Sequence, residues 1–240
     1  MIRFVGRQLL EVYRRGFAIF LLAPVIIALV AIPEFVQHVV EIRIGMFEGI
    51  ERARALANDP TRWAFGSFKL AGLLIAMLAA ARFWGARTRG ERWWNLCDVA
   101  WIQLIVASAL FLFQPTFVDA LRGRGPKALY WIVYILLSIA ALPLLFPILG
   151  ALSGDRRYSL VQSYLRGWRW LPLLALLLVA AWLPAMAAHY GLNYAARGLP
   201  MPLVWALMVL DSLVVGLLAA LAGAAFAVSY EAAFPPGLPA

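Results

Sequence analysis

A single cysteine, Cys97, stands in 240 residues. That excludes an intrachain disulfide, a Cys-x-x-Cys redox pair and a cysteine-based zinc site. Catalytic signatures are lacking too: there is no Gly-x-Ser-x-Gly elbow, no His-Glu-x-x-His and no Gly-x-x-x-x-Gly-Lys phosphate loop. Membrane-embedded enzymes can do without these motifs, so enzymatic activity is disfavoured rather than excluded, and no cofactor is expected. Charged residues make up only 14% of the chain, well under the roughly 25% of soluble domains. Lysine is nearly absent, since only Lys69 and Lys127 interrupt an all-arginine basic set, a bias typical of GC-rich bacterial genomes. The histidines are two, His38 and His189.

What fills the chain instead is apolar: 64% hydrophobic residues and a mean hydropathy of +0.84. A span needs roughly 20 apolar residues, and six stretches qualify: about 17–37, 66–83, 99–118, 128–149, 171–190 and 203–229. The expected fold is therefore a single all-α polytopic membrane domain of six transmembrane helices, with the lipid bilayer as its surroundings. A net charge of +9 suggests nucleic acid at first sight, but the basic residues lie between apolar spans, where they set orientation instead. Nucleic acid is not an expected partner. Arg3, Arg7, Arg14, Arg15, Arg82, Arg87, Arg89, Arg92, Arg156, Arg157, Arg166 and Arg169 fall on one side. Fewer fall on the other, among them Arg43, Arg52, Arg54, Arg62, Arg122, Arg124, Lys127 and Arg197, partly offset by acids. The bias predicts a bacterial inner-membrane protein with both termini cytoplasmic. The first span starts basic like a signal peptide, yet no small-x-small cleavage site precedes Pro33 and Glu34, so it reads as retained.

Two segments depart from the pattern of span and short loop. In residues 34–58, Val36, Val40, Ile44, Phe47 and Ile50 recur at helical spacing while His38, Glu41, Glu48 and Arg52 fall on another face. This predicts an amphipathic helix lying flat at the outer surface, or else a partner-binding or gating element. The second, "SLVQSYLRGWRW" at 159–170, opens with a Ser-x-x-Gln capping signature. Its Tyr164, Arg166, Trp168, Arg169 and Trp170 suit a cytoplasmic interfacial anchor.

Internal similarity suggests three helical hairpins in parallel repeat, as in some transporters. "YRRGF" at 13–17, "TRGERWW" at 88–94 and "YLRGWRW" at 164–170 each enter an odd-numbered span. Pro33 and Pro184 are each followed five positions later by a histidine, His38 and His189. "PTRWAFGSFK" at 60–69 aligns with "PLVWALMVLD" at 202–211, so Trp63 meets Trp205 and Lys69 meets Asp211. The middle hairpin fits less well, and chance similarity among apolar spans is the competing explanation.

Asp211 and Lys69 each follow a tryptophan by six residues, about 9 Å along a helix. If the tryptophans mark an interface, both charges lie within hydrocarbon. A charge there costs at least about 2.5 kcal/mol, so it turns to protein or water and finds a partner. Two outcomes are open: Asp211 pairs with Lys69, or Lys69 snorkels to the surface and Asp211 is hydrogen-bonded within the bundle. Glu34, His38 and Glu41 at i, i+4 and i+7, with His189 at the matching end of the fifth span, form a second constellation. It is a candidate for divalent metal or pH sensing, against the plainer reading of a solvated helix face. Gly216, Ala220, Gly223, Ala224 and Ala227 give the last span small-residue faces for packing inside the chain or against another membrane protein.

"YSLVQSYLRGWRWLPLLALLLV", followed by a small-residue-rich final span ending near Tyr230, resembles bacterial six-span membrane proteins of the YciC-like kind. It also resembles the membrane domain attached to some glycerophosphodiester phosphodiesterases. The resemblance implies a six-span membrane fold and transfers no catalytic residues, because that family's chemistry resides in a separate soluble domain. The leading expectation is a partner-binding or envelope-support protein, its partner met by the 34–58 helix. The alternative is a small transporter or channel whose Asp211 and Lys69 line a substrate or proton path, and third comes a membrane-embedded enzyme.

Overall fold

The computed structural model describes residues 2–120 and 126–235; Arg122 and Arg124 of the charge tally lie outside them. The described residues form helices joined by turns, with no strand. The helices are α1 (Ile2–Leu22), α2 (Pro24–Arg43), α3 (Ile50–Ala55), α4 (Pro60–Thr88), α5 (Trp101–Ala120), α6 (Lys127–Ala141), α7 (Leu145–Ser153), α8 (Leu160–Ala195) and α9 (Met201–Ala233). Among the described residues, six segments are long and apolar enough to cross a membrane: α2, α4, α5, the α6–α7 stretch, α8 and α9. The protein is an all-α membrane protein.

The first span departs from expectation. Residues 17–37 are not one helix, because α1 ends at Leu22 and Ala23 takes a non-helical φ of −151°. Pro24 explains the break: it lacks an N–H, its ring clashes with the carbonyl four residues back, and it disfavours helix at the preceding position. The crossing segment is instead α2, which runs through Pro33 to Arg43. It thereby absorbs the first part of the expected 34–58 surface helix. Residues 44–49 then turn, and only Ile50–Ala55 is helical beyond them. Gly45 sets that stop. Its φ of +82° suits glycine alone, and Gly45 N–H donates to Ile42 O while Met46 N–H donates to Glu41 O, a Schellman ending.

The chain divides into two compact units, Met1–Ala81 with Leu176–Ala225, and Arg82–Ala175 with Phe226–Ala240. In the first, Val12, Ile19, Ile26, Val30, Leu177, Met208, Leu218 and Leu221 form the buried core. The small residues of α9 serve internal packing here, for Gly216 faces Ile27 and Gly223 faces Ala80. A Cβ on Gly223 would lie 2.7 Å from Met77 O, so the two helices meet nearly backbone to backbone. Ala220 and Ala224 are fully buried, which leaves these positions no free face for a partner. Two loops of this unit lie together: Gly198 N–H donates to Phe47 O at 2.8 Å, and Phe47 packs with Ala196, Val204 and Met208.

The second unit packs Phe146, Leu174, Tyr158 and Phe234 as its core. Arg82, counted by its charge in the sequence, works here as a backbone clamp. Its buried guanidinium donates to the carbonyls of Trp93, Asn95 and Leu152, which fixes the turn region after α4. The Ser159–Gln162 capping box forms as expected, with Ser159 N–H donating to Gln162 Oε1 and Gln162 N–H donating to Ser159 Oγ. Residues 160–170 are the first turns of the spanning helix α8, with Arg166, Trp168 and Arg169 exposed. Tyr164 donates to Ala140 O.

Candidate functional site

Helix α2 brings Glu34, Gln37, His38 and Glu41 onto one face, as i, i+3, i+4 and i+7 spacing dictates. The face is not solvated. These residues are 0%, 3%, 1% and 2% exposed, because α2 continues past Pro33 to Arg43 and that stretch packs against α4 and α9. An amphipathic pattern cannot tell a polar face turned to water from one turned to a polar interior, and here it is the latter.

The centre of the site is Asp211, fully buried on α9 and ten residues from that helix's start, about 15 Å in. Its partners are His38 Nε2 at 2.8 Å, His189 Nδ1 at 2.9 Å and Asn193 Nδ2 at 2.8 Å. Lys69 is not among them. Its ammonium reaches Glu34 instead, 3.4 Å from Oε1 and 3.2 Å from Oε2, so the expected Asp211–Lys69 pair is replaced by two pairs sharing His38 as intermediary. The physical reason is competition: two imidazoles and an amide already occupy the acceptor positions of Asp211. Lys69 also does not simply snorkel, since its side chain is only 19% exposed.

His38 links the acids. Its Nε2 also stands 3.1 Å from Glu34 Oε1, and its Nδ1 stands 2.9 Å from Glu41 Oε2. With carboxylates at both ring nitrogens, all contacts are hydrogen bonds only if each nitrogen carries hydrogen or a carboxyl supplies it. Glu41 further accepts from Gln37 Nε2 at 2.9 Å and Arg62 Nε at 2.8 Å. Arg62 is placed by the start of α4, where Asp59 Oδ1 accepts from the N–H groups of Thr61 and Arg62, an N-cap.

Three acids, two histidines and two bases thus sit within membrane-crossing helices. Glu34, Asp211 and His38 are sealed, while Arg62, Lys69 and His189 form a partly exposed rim, 26%, 19% and 14% exposed. Phe47 covers His38, ring centres 6.5 Å apart. Of the expected metal constellation, Glu34 and His189 come together with Asp211: one ligand atom from each lies within 4.8 Å of the others. Glu41 lies on the far side of His38, held by Arg62.

Sequence reasoning missed Gln37 and Arg62 as members. Gln37 carried a signal, standing three residues after Glu34 and four before Glu41 on the same face. Arg62 carried none beyond its charge. Outside the site, Asp155 and Arg157 form a bidentate pair, with Tyr230 O–H donating to Asp155 at 3.1 Å. Burial opposes the charge on Asp155, but the hydrogen bonds and charge of Arg157 prevail and hold its carboxyl below the usual carboxylate range.

Comparison with protein-family models, with curated proteins and with solved structures gives no match, so the functional reading rests on the geometry of this site.

Proposed function

We propose that this protein is a small multi-pass transporter whose buried acids receive a cation from the side of the bilayer where residues 44–59 and 196–200 lie. What supports the reading is a single observation: Glu34, Glu41 and Asp211 are 0–2% exposed inside membrane-crossing helices. Ionisable groups so placed are costly, and they mark ion or substrate pathways by default. A purely structural clasp is the competing explanation, yet apolar side chains of similar volume join helices at no such cost. The leading expectation, a partner-binding or envelope-support protein that meets its partner through the 34–58 helix, loses support, because Glu34, His38 and Glu41 of that segment are buried in the interior. Within this proposal the protein resides in a bacterial inner membrane with both termini cytoplasmic, as the arginine distribution favours.

The test is cation uptake into proteoliposomes carrying the full chain, compared with Asp211→Asn protein matched for the amount inserted and for helix content, at a temperature where both remain folded. Uptake of any small cation that requires Asp211 supports transport. Identical fluxes for both proteins and for empty vesicles, across monovalent and divalent cations, would sink it.

A further inference from the structure

We infer that Glu34, His189 and Asp211 form a site for a divalent transition-metal ion of the zinc class; this rests on the cation-handling reading and names its substrate. The geometry comes first. One carboxylate oxygen from each acid and a ring nitrogen of His189 lie within 4.8 Å of one another. Ligands of a metal bonded at about 2.0–2.2 Å stand at most about 4 Å apart, so closing the set needs only side-chain adjustments. Mixed imidazole and carboxylate ligands suit zinc and its neighbours rather than calcium or magnesium, which take oxygen alone. Three protein ligands leave a fourth position open, as in sites whose metal exchanges or reacts rather than staples a fold.

A second observation points the same way. Glu34 Oε2 is fully buried and accepts no hydrogen bond; only the Lys69 ammonium faces it, at 3.2 Å, as an ionic contact. A metal supplies that oxygen with a bond, and Lys69, at the rim, is free to swing away from the incoming charge. The metal takes the place of the hydrogen between His189 Nδ1 and Asp211, now 2.9 Å apart, and that proton leaves to water. The surrounding shell is already built. Asn193 Nδ2 donates to Asp211 Oδ2, and His38 Nε2 contacts both Asp211 and Glu34, the kind of outer contact that orients ligands. His38 is thus a positioning residue, and Glu41 lies beyond it with Arg62.

The experiment uses cobalt(II) as a spectroscopic probe on the full chain in detergent, in a Cys97→Ser background because Cys97 is an exposed thiol. Wild-type ligands bind one equivalent of cobalt with intense visible bands of a four- or five-coordinate ion, and zinc displaces it. His189→Gln and Asp211→Asn abolish the bands, His38→Gln weakens binding by about 10–100-fold, and Lys69→Met strengthens it. The wild-type spectrum needs no variant to fold. Absent bands, or bands unchanged in both His189→Gln and Asp211→Asn, overturn the assignment. Asp211-dependent uptake of a monovalent cation without cobalt bands sinks the metal and keeps transport. Cobalt bands without flux of any cation keep the metal site and sink transport.

Discussion

Replacing Asp211 by asparagine perturbs the site most cleanly, because it keeps the shape and removes the charge. Three side chains hydrogen-bond with Asp211: His38, His189 and Asn193, the last as donor. A hydrogen bond to a charged acceptor contributes about 1.5–3 kcal/mol, against about 0.5–1.5 for a neutral pair, so each bond weakens by roughly 1 kcal/mol. The new amide also turns an N–H₂ toward groups that donate. The expected loss is about 3 kcal/mol, read by reversible unfolding in mixed micelles. Coupling energies sharpen the test. Asp211 and His38 touch, so Asp211→Asn combined with His38→Gln should show a coupling of about 1 kcal/mol or more, while Asp211→Asn with Lys69→Met should show less, because His38 and Glu34 intervene. A coupling to Lys69 as large as that to His38 would refute the arrangement described here.

Three other predictions address the rest of the molecule. Because the Asp155 carboxyl is held below its ordinary value, its contribution is fully present above the unfolded value of about 3.9 and is lost as pH falls through the lower folded value; Asp155→Asn should flatten the fall in melting temperature below about pH 4, and an unchanged slope counts against the pairing. Gly223→Leu, whose Cβ would lie 2.7 Å from Met77 O, should cost at least about 1–3 kcal/mol, while Gly191→Ala, with nothing within 4 Å, should be neutral or slightly stabilising. Arg82→Leu strands the carbonyls of Trp93, Asn95 and Leu152; hydrogen exchange and proteolysis between 89 and 98 should rise, and unchanged protection there would show that the clamp is dispensable.

Six apolar runs, the Ser159–Gln162 cap and the isolation of Asp211 were legible because each rests on local pattern. The break before Pro24 was also written in the sequence, yet an unbroken apolar run from Phe17 onward masked it. The site was legible in its parts and not in its wiring. Glu34, His38 and Glu41 share a face by spacing alone, and His189 was matched to His38 by its distance from a proline. That the two imidazoles converge on Asp211, and that Lys69 turns to Glu34, depends on how α2, α4, α8 and α9 are rotated about their axes. Helical periodicity gives a face but not what the face meets, so a buried polar interior and a wet surface read alike. Arg82 shows the same limit: its charge was counted, but its hydrogen bonds to three carbonyls depend on backbone distant in sequence.

The proposed divalent metal sits among Glu34, His189 and Asp211 within the spanning helices. An anomalous-difference map of the full chain with cobalt or zinc tests that placement most directly. The account predicts one strong peak within bonding distance of Glu34, His189 and Asp211, with Lys69 turned away. A peak elsewhere, or none at saturating metal, would contradict it.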